Sequence, residues 1–237
     1  MDKKKVLFFD AGPVISLVMS RLHWLLPLLK KKFGGRFYIT PGVKTELVDR
    51  PLSIHRFAFE ALQVQKLISE GVLEVYTKVP WNKVHQLFLL ANHSFFIHDK
   101  DIDVLQEGEM ESIACARETK AAGMVMDERT LRLFIENPSS LGHLLEHRFQ
   151  ATVTTNTKNV QGFSQQLQGI PIIRSVELVS LAYQMGLLDD YIPPQKNGRE
   201  ILLDAVLWTV KTSGCAVTEE EVEDLKGLLL KKKTLKE

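Results

Sequence analysis

Acidic residues recur in this chain at positions where they could share one metal ion. Two of them follow strand-like apolar runs and two lie in predicted helices: Asp10, Asp127, Glu46 and Glu109. Carboxylates that converge on one cavity repel one another unless a divalent cation neutralises their charge. Ligands that are all oxygen favour Mg²⁺ or Mn²⁺, and such an ion activates water and stabilises charge on a phosphate under attack. The pattern predicts a metal site for phosphodiester hydrolysis, with these four acids as ligands and catalytic residues.

Each of these acids also has a purely structural interpretation. Asp10 and Asp127 are good N-caps, because an Asp oxygen accepts hydrogen bonds from free backbone N–H groups at the start of a helix. Glu109 and its neighbour Glu111 suit the positive end of a helix dipole. Glu46 fits a solvated helix surface. The joint arrangement favours a functional site more than any one acid does.

Strands alternate with helices through the first 137 residues. The apolar runs predict strands over 6–9, 37–40, 72–76 and 124–126, and the periodic segments predict helices over 41–48, 55–69, 81–96, 108–120 and 128–135. Such alternation produces a mostly parallel sheet with helices on both faces. If their strands are neighbours, Asp10 and Asp127 emerge at the same carboxyl edge, where open α/β folds place their chemistry.

The pattern changes after residue 137. We expect a helix over 141–149, strands over 151–155 and 170–173, and helices over 176–185, 200–212 and 218–232. Thr218 and Glu221 form a capping box for the last helix. The run 193–198 is the clearest linker. It divides the chain into an α/β domain over 1–192, with an insert at 138–170, and a C-terminal helical extension over 193–237.

Composition fits an ordinary globular protein of 237 residues, and the net charge of +1 leaves a polyanionic partner open. Cys115 and Cys215 form neither a disulfide framework nor a zinc motif, which favours a reducing compartment. The apolar run before Asp10 is too short for a signal peptide, and no run is long enough to cross a membrane. We therefore expect a cytoplasmic protein without a membrane span.

Four short segments resemble the acidic motifs of the PIN domain family, in the family's order. They lie at 10–17, 41–47, 108–116 and 125–128, and the third has the Gly-Glu-x-Glu pattern of a prokaryotic branch. The resemblance implies a PIN-like, Rossmann-type α/β/α sandwich and a metal-dependent endoribonuclease, in many members the toxin of a toxin–antitoxin pair. It implies that the four acids above hold Mg²⁺ or Mn²⁺, that RNA is the substrate, and that an antitoxin-like protein and a second copy of the chain are partners.

The third and fourth motifs contain additional acids, Glu111 and Glu128, beside the proposed ligands. Glu109 and Glu111 point about 200° apart on a helix, so only one of them faces the site. Glu109 is the expected ligand because it shares a helix face with Ile113 and Ala116. The position before the fourth acid, which carries a hydroxyl group in many members, is apolar here.

Basic residues suggest a path for a phosphate backbone. Arg129 and Arg132 follow the fourth motif on one predicted helix, and the run 30–32 with Arg36 precedes the second strand. Together they could guide a polyanion along one edge of the sheet. Solvated surface charge is the more common explanation for any one of them.

Two other functions stay open. A PIN-like module with a degraded site would bind RNA or protein without binding metal. His143, Glu146 and His147 match the H-x-x-E-H pattern of inverted zincins, in which two histidines bind zinc beside a catalytic glutamate. The structural alternative is an amphipathic surface helix with Leu144 and Leu145 inward. Zinc content distinguishes these two interpretations of the motif.

Overall fold

The computed structural model describes residues 5–234, except for the side chains of residues 135, 136 and 232–234. In this range the strands are β1 (Val6–Phe9), β2 (Arg36–Ile39), β3 (Glu74–Val75), β4 (Phe95–Ile97), β5 (Lys100–Asp101), β6 (Gly123–Val125), β7 (Thr154–Thr155) and β8 (Ile172–Ile173). The α-helices are α1 (Ala11–Met19), α2 (Leu25–Phe33), α3 (Pro41–Lys44), α4 (Ala58–Ser69), α5 (Trp81–Asn92), α6 (Glu107–Thr119), α7 (Arg129–Glu136), α8 (Pro138–Phe149), α9 (Thr157–Leu167), α10 (Ser175–Gln184), α11 (Gly198–Thr212) and α12 (Glu219–Thr234). None of these helices is long and apolar enough to span a membrane.

A five-stranded parallel sheet, in the order β3-β2-β1-β6-β8, confirms the predicted α/β class. Phe9 at the end of β1 is paired with Val125 at the end of β6. The next amide, that of Asp10, donates a hydrogen bond of 2.9 Å to the carbonyl of Val125. The two strands are therefore neighbours, and Asp10 and Asp127 leave the sheet at the same edge, as expected.

Helices cover both faces of the sheet, which explains why β1 is apolar at every position. Phe8 and Phe9 are both fully buried although they point to opposite faces. Phe9 packs in a core with residues of α1, α2, α4, α10, α11 and α12, whereas Phe8 packs with residues of α5 to α9. Burying each ring stabilises the fold by roughly 1.5–3 kcal/mol. The result is an α/β/α sandwich.

The predicted helix over 81–96 is too long. It ends at Asn92, and the chain then forms a small antiparallel sheet, β5-β4-β7, with positive φ angles at His98 and Asp99 in the turn. Three short strands carry too little periodicity to be recognised. The Asn92 side chain accepts hydrogen bonds from the amides of Val104 and Leu105, at 2.8 and 3.1 Å, and so fixes the chain just before α6.

Between β7 and β8 the structure contains α9, which the sequence did not predict. Asn156 caps this helix by accepting a hydrogen bond of 3.2 Å from the amide of Asn159. Only its apolar positions Val160, Phe163 and Leu167 are buried. The predicted strand over 151–155 is correspondingly shortened to β7.

The C-terminal helices pack on the same core as Phe9. Leu203, Leu207 and Val222 are fully buried in it. The predicted capping box is confirmed, because the Thr218 amide donates to Glu221 at 2.8 Å and the Glu221 amide donates to the Thr218 hydroxyl at 3.1 Å. The proposed boundary at residue 193 thus falls between helices that share one core.

Candidate active site

Asp10 occupies the N-cap position of α1, yet its side chain makes no capping hydrogen bond. It is 8% exposed and lines a cavity of about 330 Å³ together with Gly12, Asp127, Glu128 and Arg129. Burial raises the pKa of Asp10 to about 6, and the charges of Glu46 and Asp127 add to this rise, while nearby backbone amides oppose it. The Asp10 carboxylate therefore faces this cavity, where a ligand could reach it.

Asp127 is held by three hydrogen bonds. Its Oδ2 accepts from the hydroxyls of Ser16 and Ser175, at 2.8 and 2.7 Å, and its Oδ1 accepts from the Ser175 amide at 2.7 Å. It does not cap α7, because Glu128 is the N-cap and accepts from the amide of Thr130. Two hydroxyl groups that come from other elements, those of Ser16 and Ser175, therefore fix the Asp127 carboxylate. Ser175 lies 48 residues away, and no local pattern in the sequence marks it.

Glu46 lies in a π-helical turn, Thr45–Asp49, that continues α3. Thr40 caps α3 by accepting a hydrogen bond of 3.4 Å from the Val43 amide. Single π-helical turns insert one residue, re-aim the side chains that follow, and are frequent at functional sites. A Cβ atom on Gly108 would lie only 3.1 Å from Glu46 Oε1, so the Glu46 carboxylate rests against the first turn of α6.

Burial raises the pKa of Glu46, and the charge of Glu111 raises it further, whereas Arg50 lowers it. The pKa of Glu109 is shifted more strongly. Burial raises the pKa of Glu109 to about 8, with contributions from the charges of Asp10, Glu128 and Glu46, while a hydrogen bond of 2.7 Å from the Gln106 amide opposes the rise. Asp10, Glu46 and Glu109 therefore interact electrostatically, although they come from three separate motifs.

Glu111 points to a different neighbour. It is 5% exposed, and its Oε2 accepts a hydrogen bond of 2.9 Å from the amide of Gly42 in α3. A Cβ atom on Gly42 would lie 2.7 Å from Glu111 Oε1, so a larger residue at this position would displace the Glu111 carboxylate. Glu111 therefore ties α6 to α3, which leads into the turn that carries Glu46.

The donor set suits Mg²⁺ or Mn²⁺ by its chemistry, since every side chain offers carboxylate oxygens and a cation would relieve their mutual repulsion. The arrangement of these side chains fits an ion less well than their chemistry does. Within residues 5–234, no group of three or more His, Cys, Asp or Glu side chains is arranged to hold an ion. The carboxylates therefore lie close enough to repel one another without forming a preassembled coordination sphere.

The predicted basic path is largely wrong. Arg129 lines the cavity of Asp10, but Arg132 donates a hydrogen bond of 3.2 Å to Glu221 on α12. Arg36 lies at the amino end of β2, at the opposite edge of the sheet from Asp10, and pairs with Glu74 at 3.5 Å. Lys30 contacts the same glutamate at 2.8 Å.

The H-x-x-E-H motif lies on α8 at the surface. The His143 side chain is 83% exposed and its Nδ1 is 3.2 Å from Glu146. Glu146 also accepts a hydrogen bond of 3.2 Å from the Val153 amide, and Leu145 is buried beneath the helix. These contacts are those of an amphipathic surface helix.

Protein-family models, curated proteins and solved structures give no match to this chain. The resemblance to the PIN domain family therefore rests on the four motif segments.

Proposed function

We propose that this protein is a PIN-like, metal-dependent endoribonuclease that holds Mg²⁺ or Mn²⁺ through its four motif acids, Asp10, Glu46, Glu109 and Asp127. The observation that supports it best is the convergence of acids from separate motifs at one edge of the sheet, where burial and mutual repulsion raise the pKa values of Asp10 and Glu109 to about 6 and 8. Ionisable groups with strongly shifted pKa values cluster at functional sites.

The bound ion would activate water and neutralise charge on the attacked phosphate. The protein itself holds the ligand side chains in place. Asp10 is fixed by the pairing of β1 with β6, and Asp127 by its three hydrogen bonds. Glu109 would exchange its bond with the Gln106 amide for the ion. Arg129, on the wall of the same cavity, offers a positive charge to the RNA phosphate.

The test is RNA cleavage by the full chain in Mn²⁺, with both single-stranded and structured RNAs. Asp10→Asn should abolish cleavage because it removes a charged oxygen ligand. Asp224→Asn, at an exposed acid on α12, is the matched control and should cleave like the unmodified protein. Intact RNA with the unmodified protein, or full activity of Asp10→Asn, would refute the nuclease.

A second candidate function, a PIN-like module that binds RNA or protein without catalysis, is favoured by the lack of a preassembled ion site among the described residues. It predicts RNA or protein binding with no measurable affinity for Mn²⁺. Calorimetric titration with Mn²⁺ separates it from the nuclease.

We also infer a protein partner, either a second copy of the chain or an antitoxin-like protein. Helix α4 exposes Phe59 and Leu62, at 68% and 50%, and Ile54 is also exposed in the segment before this helix. Exposed apolar patches of this kind mark protein interaction sites. Cys115 and Cys215 are both unpaired, which supports a cytoplasmic location. The molecular mass in solution, compared between the unmodified protein and Phe59→Glu, tests the dimer.

A further inference from the structure

A second cavity, of about 340 Å³, adjoins the carboxylate site. It lies between α1, α4 and the π-helical turn, and its walls are mainly apolar, with Ile15, Met19 and Phe57 among them. This volume falls in the range of small-ligand sites, roughly 300–1,000 Å³. Glu46 lines this cavity and also contributes to the electrostatics of Asp10 and Glu109. An occupant would therefore sit directly beside the proposed cleavage site.

Glu60 supplies the polar feature of this cavity. It lines the wall, and its Oε2 is buried without a hydrogen-bond partner among the described residues. A buried acceptor is normally satisfied, so an unsatisfied one calls for a donor. A carboxylate accepts two parallel hydrogen bonds but donates none when ionised. The cavity therefore suits a flat apolar group that carries N–H donors on one edge.

Charge excludes a phosphate from the interior, because Glu46 and Glu60 are both acidic. Positive charge lies nearby: Arg50 acts electrostatically on Glu46, and the guanidinium of Arg56 lies 5.3 Å from the centre of the Phe57 ring. This arrangement matches a nucleotide whose base enters the cavity while its phosphates stay outside, near the arginines.

We propose that this cavity binds one base of the RNA substrate and that Glu60 selects guanine. The inference rests on the proposed nuclease function and names its substrate preference. Bases displaced from a stack are recognised by aromatic contacts and by hydrogen bonds to the Watson–Crick edge. Guanine presents two adjacent N–H donors, N1–H and the N2 amino group, on that edge. Adenine and cytosine place their amino donor beside an acceptor nitrogen, and uracil places its N–H between two carbonyl acceptors, so each brings an acceptor towards Glu60.

The test measures binding of the full chain to short fluorescent oligouridines in EDTA, which prevents cleavage. One probe carries a single guanine, and matched probes carry adenine, cytosine or uracil at that position. The guanine probe should bind about tenfold more tightly, since a site built to pair with donors rejects a base that lacks them. Glu60→Gln should remove this preference, because its amide presents a donor as well as an acceptor. Glu70→Gln, at an exposed acid after α4, should keep it.

Met19→Trp gives a second variant that does not remove a buried group. Met19 is 47% exposed at the cavity wall, so a larger side chain there fills the cavity while the fold is retained. It should reduce binding of the guanine probe to the level of the uracil probe. If Met19→Trp instead changes only the oligomeric mass, a protein segment occupies the cavity and the proposal is wrong.

The two proposals fail in different ways. Mn²⁺-dependent cleavage without a base preference would leave the nuclease standing and overturn the guanine site. A guanine preference in EDTA without any cleavage would support the site and overturn the nuclease. Equal loss of binding for every probe in Glu60→Gln would also contradict a selective role for Glu60.

Discussion

Ser175 binds Asp127 twice, through its hydroxyl at 2.7 Å from Oδ2 and through its amide at 2.7 Å from Oδ1. Ser175 is the first residue of α10, so the acid at the end of β6 also anchors a helix from the C-terminal half. The loop before α12 lies against the same place, since Gly214 and Ala216 line the cavity of Asp10. The part of the chain beyond the fourth motif therefore builds one wall of the candidate site.

Asp127→Ala should lower the free energy of unfolding by about 3 kcal/mol, because it leaves the buried donors of Ser16 and Ser175 without an acceptor. Ser175→Ala removes one side-chain donor and keeps the amide bond, so about 1 kcal/mol is expected. Urea unfolding measures both. Asp127→Ala unfolding at the same urea concentration as the exposed control Asp224→Ala would contradict the anchoring role.

Gly108→Ala should slow RNA cleavage without lowering the free energy of unfolding. An alanine in α6 favours the helix by up to about 1 kcal/mol. Its Cβ would lie 3.1 Å from Glu46 Oε1, so the carboxylate must move. We expect unchanged or higher stability with roughly tenfold slower Mn²⁺-dependent cleavage, a typical cost of misplacing a catalytic group.

Gly227→Ala is the control for this substitution. It lies in α12, and among the described residues a Cβ atom added there would meet nothing within 4 Å beyond the backbone of its own helix, so Gly227→Ala should stabilise the helix without affecting cleavage. If both alanine variants cleave RNA equally fast, Glu46 does not take part in the reaction.

The metal-free protein should lose stability as the pH rises from about 4.5 to about 8. Burial raises the pKa of Glu109 from its ordinary value of 4.5 to about 8, so in this window the folded protein binds more protons than the unfolded chain. The raised pKa of Asp10, about 6, adds to the lower part of the window. Thermal unfolding in EDTA measures the slope, which Glu109→Gln should flatten and Asp224→Asn should not.

Mn²⁺ should reverse this trend, because the ion competes with protons for the same carboxylates. The rise in melting temperature on adding Mn²⁺ should be larger at pH 8 than at pH 5. A rise that does not depend on pH would mean that the ion binds elsewhere.

Glu221 should contribute stability that is lost in acid. Burial would raise the pKa of Glu221, but hydrogen bonds from the Thr218 amide, Arg174 and Arg132, together with the charge of Arg174, lower it to about 2. The stabilisation is therefore complete above about pH 4.5 and disappears as the pH falls towards 2. Glu221→Gln should cost about 1 kcal/mol at pH 7, since the pair is partly exposed, and much less at pH 2. An equal effect at both pH values would exclude the ion pairs as its cause.

Runs of consecutive apolar residues identified the strands of the main sheet, and apolar residues at helical spacing identified most of its helices. β1 and β6 were recognisable because each is a continuous apolar run ending on an acid, and the Thr218–Glu221 capping box because its residues are three apart. The β4–β5 hairpin and α9 were missed, since strands of two or three residues and a polar helix with three buried positions give weak signals.

The candidate site was predictable only in part. The four acids belong to recognisable motifs, but the partners that fix them are remote in sequence. Ser175 is 48 residues from Asp127, and Gly42 is 69 residues from Glu111. The π-helical turn at Glu46 has no sequence signature of its own. The ion pair of Arg132 was not predictable either, because its partner Glu221 lies 89 residues away.

The central claim is that Asp10 helps to hold a divalent cation, and a crystal of the protein grown with Mn²⁺ tests it most directly. An anomalous difference peak about 2.0–2.6 Å from an Asp10 oxygen, shared with Glu46, Glu109 or Asp127, is the predicted result. A crystal saturated with Mn²⁺ that shows no peak at Asp10 would contradict it.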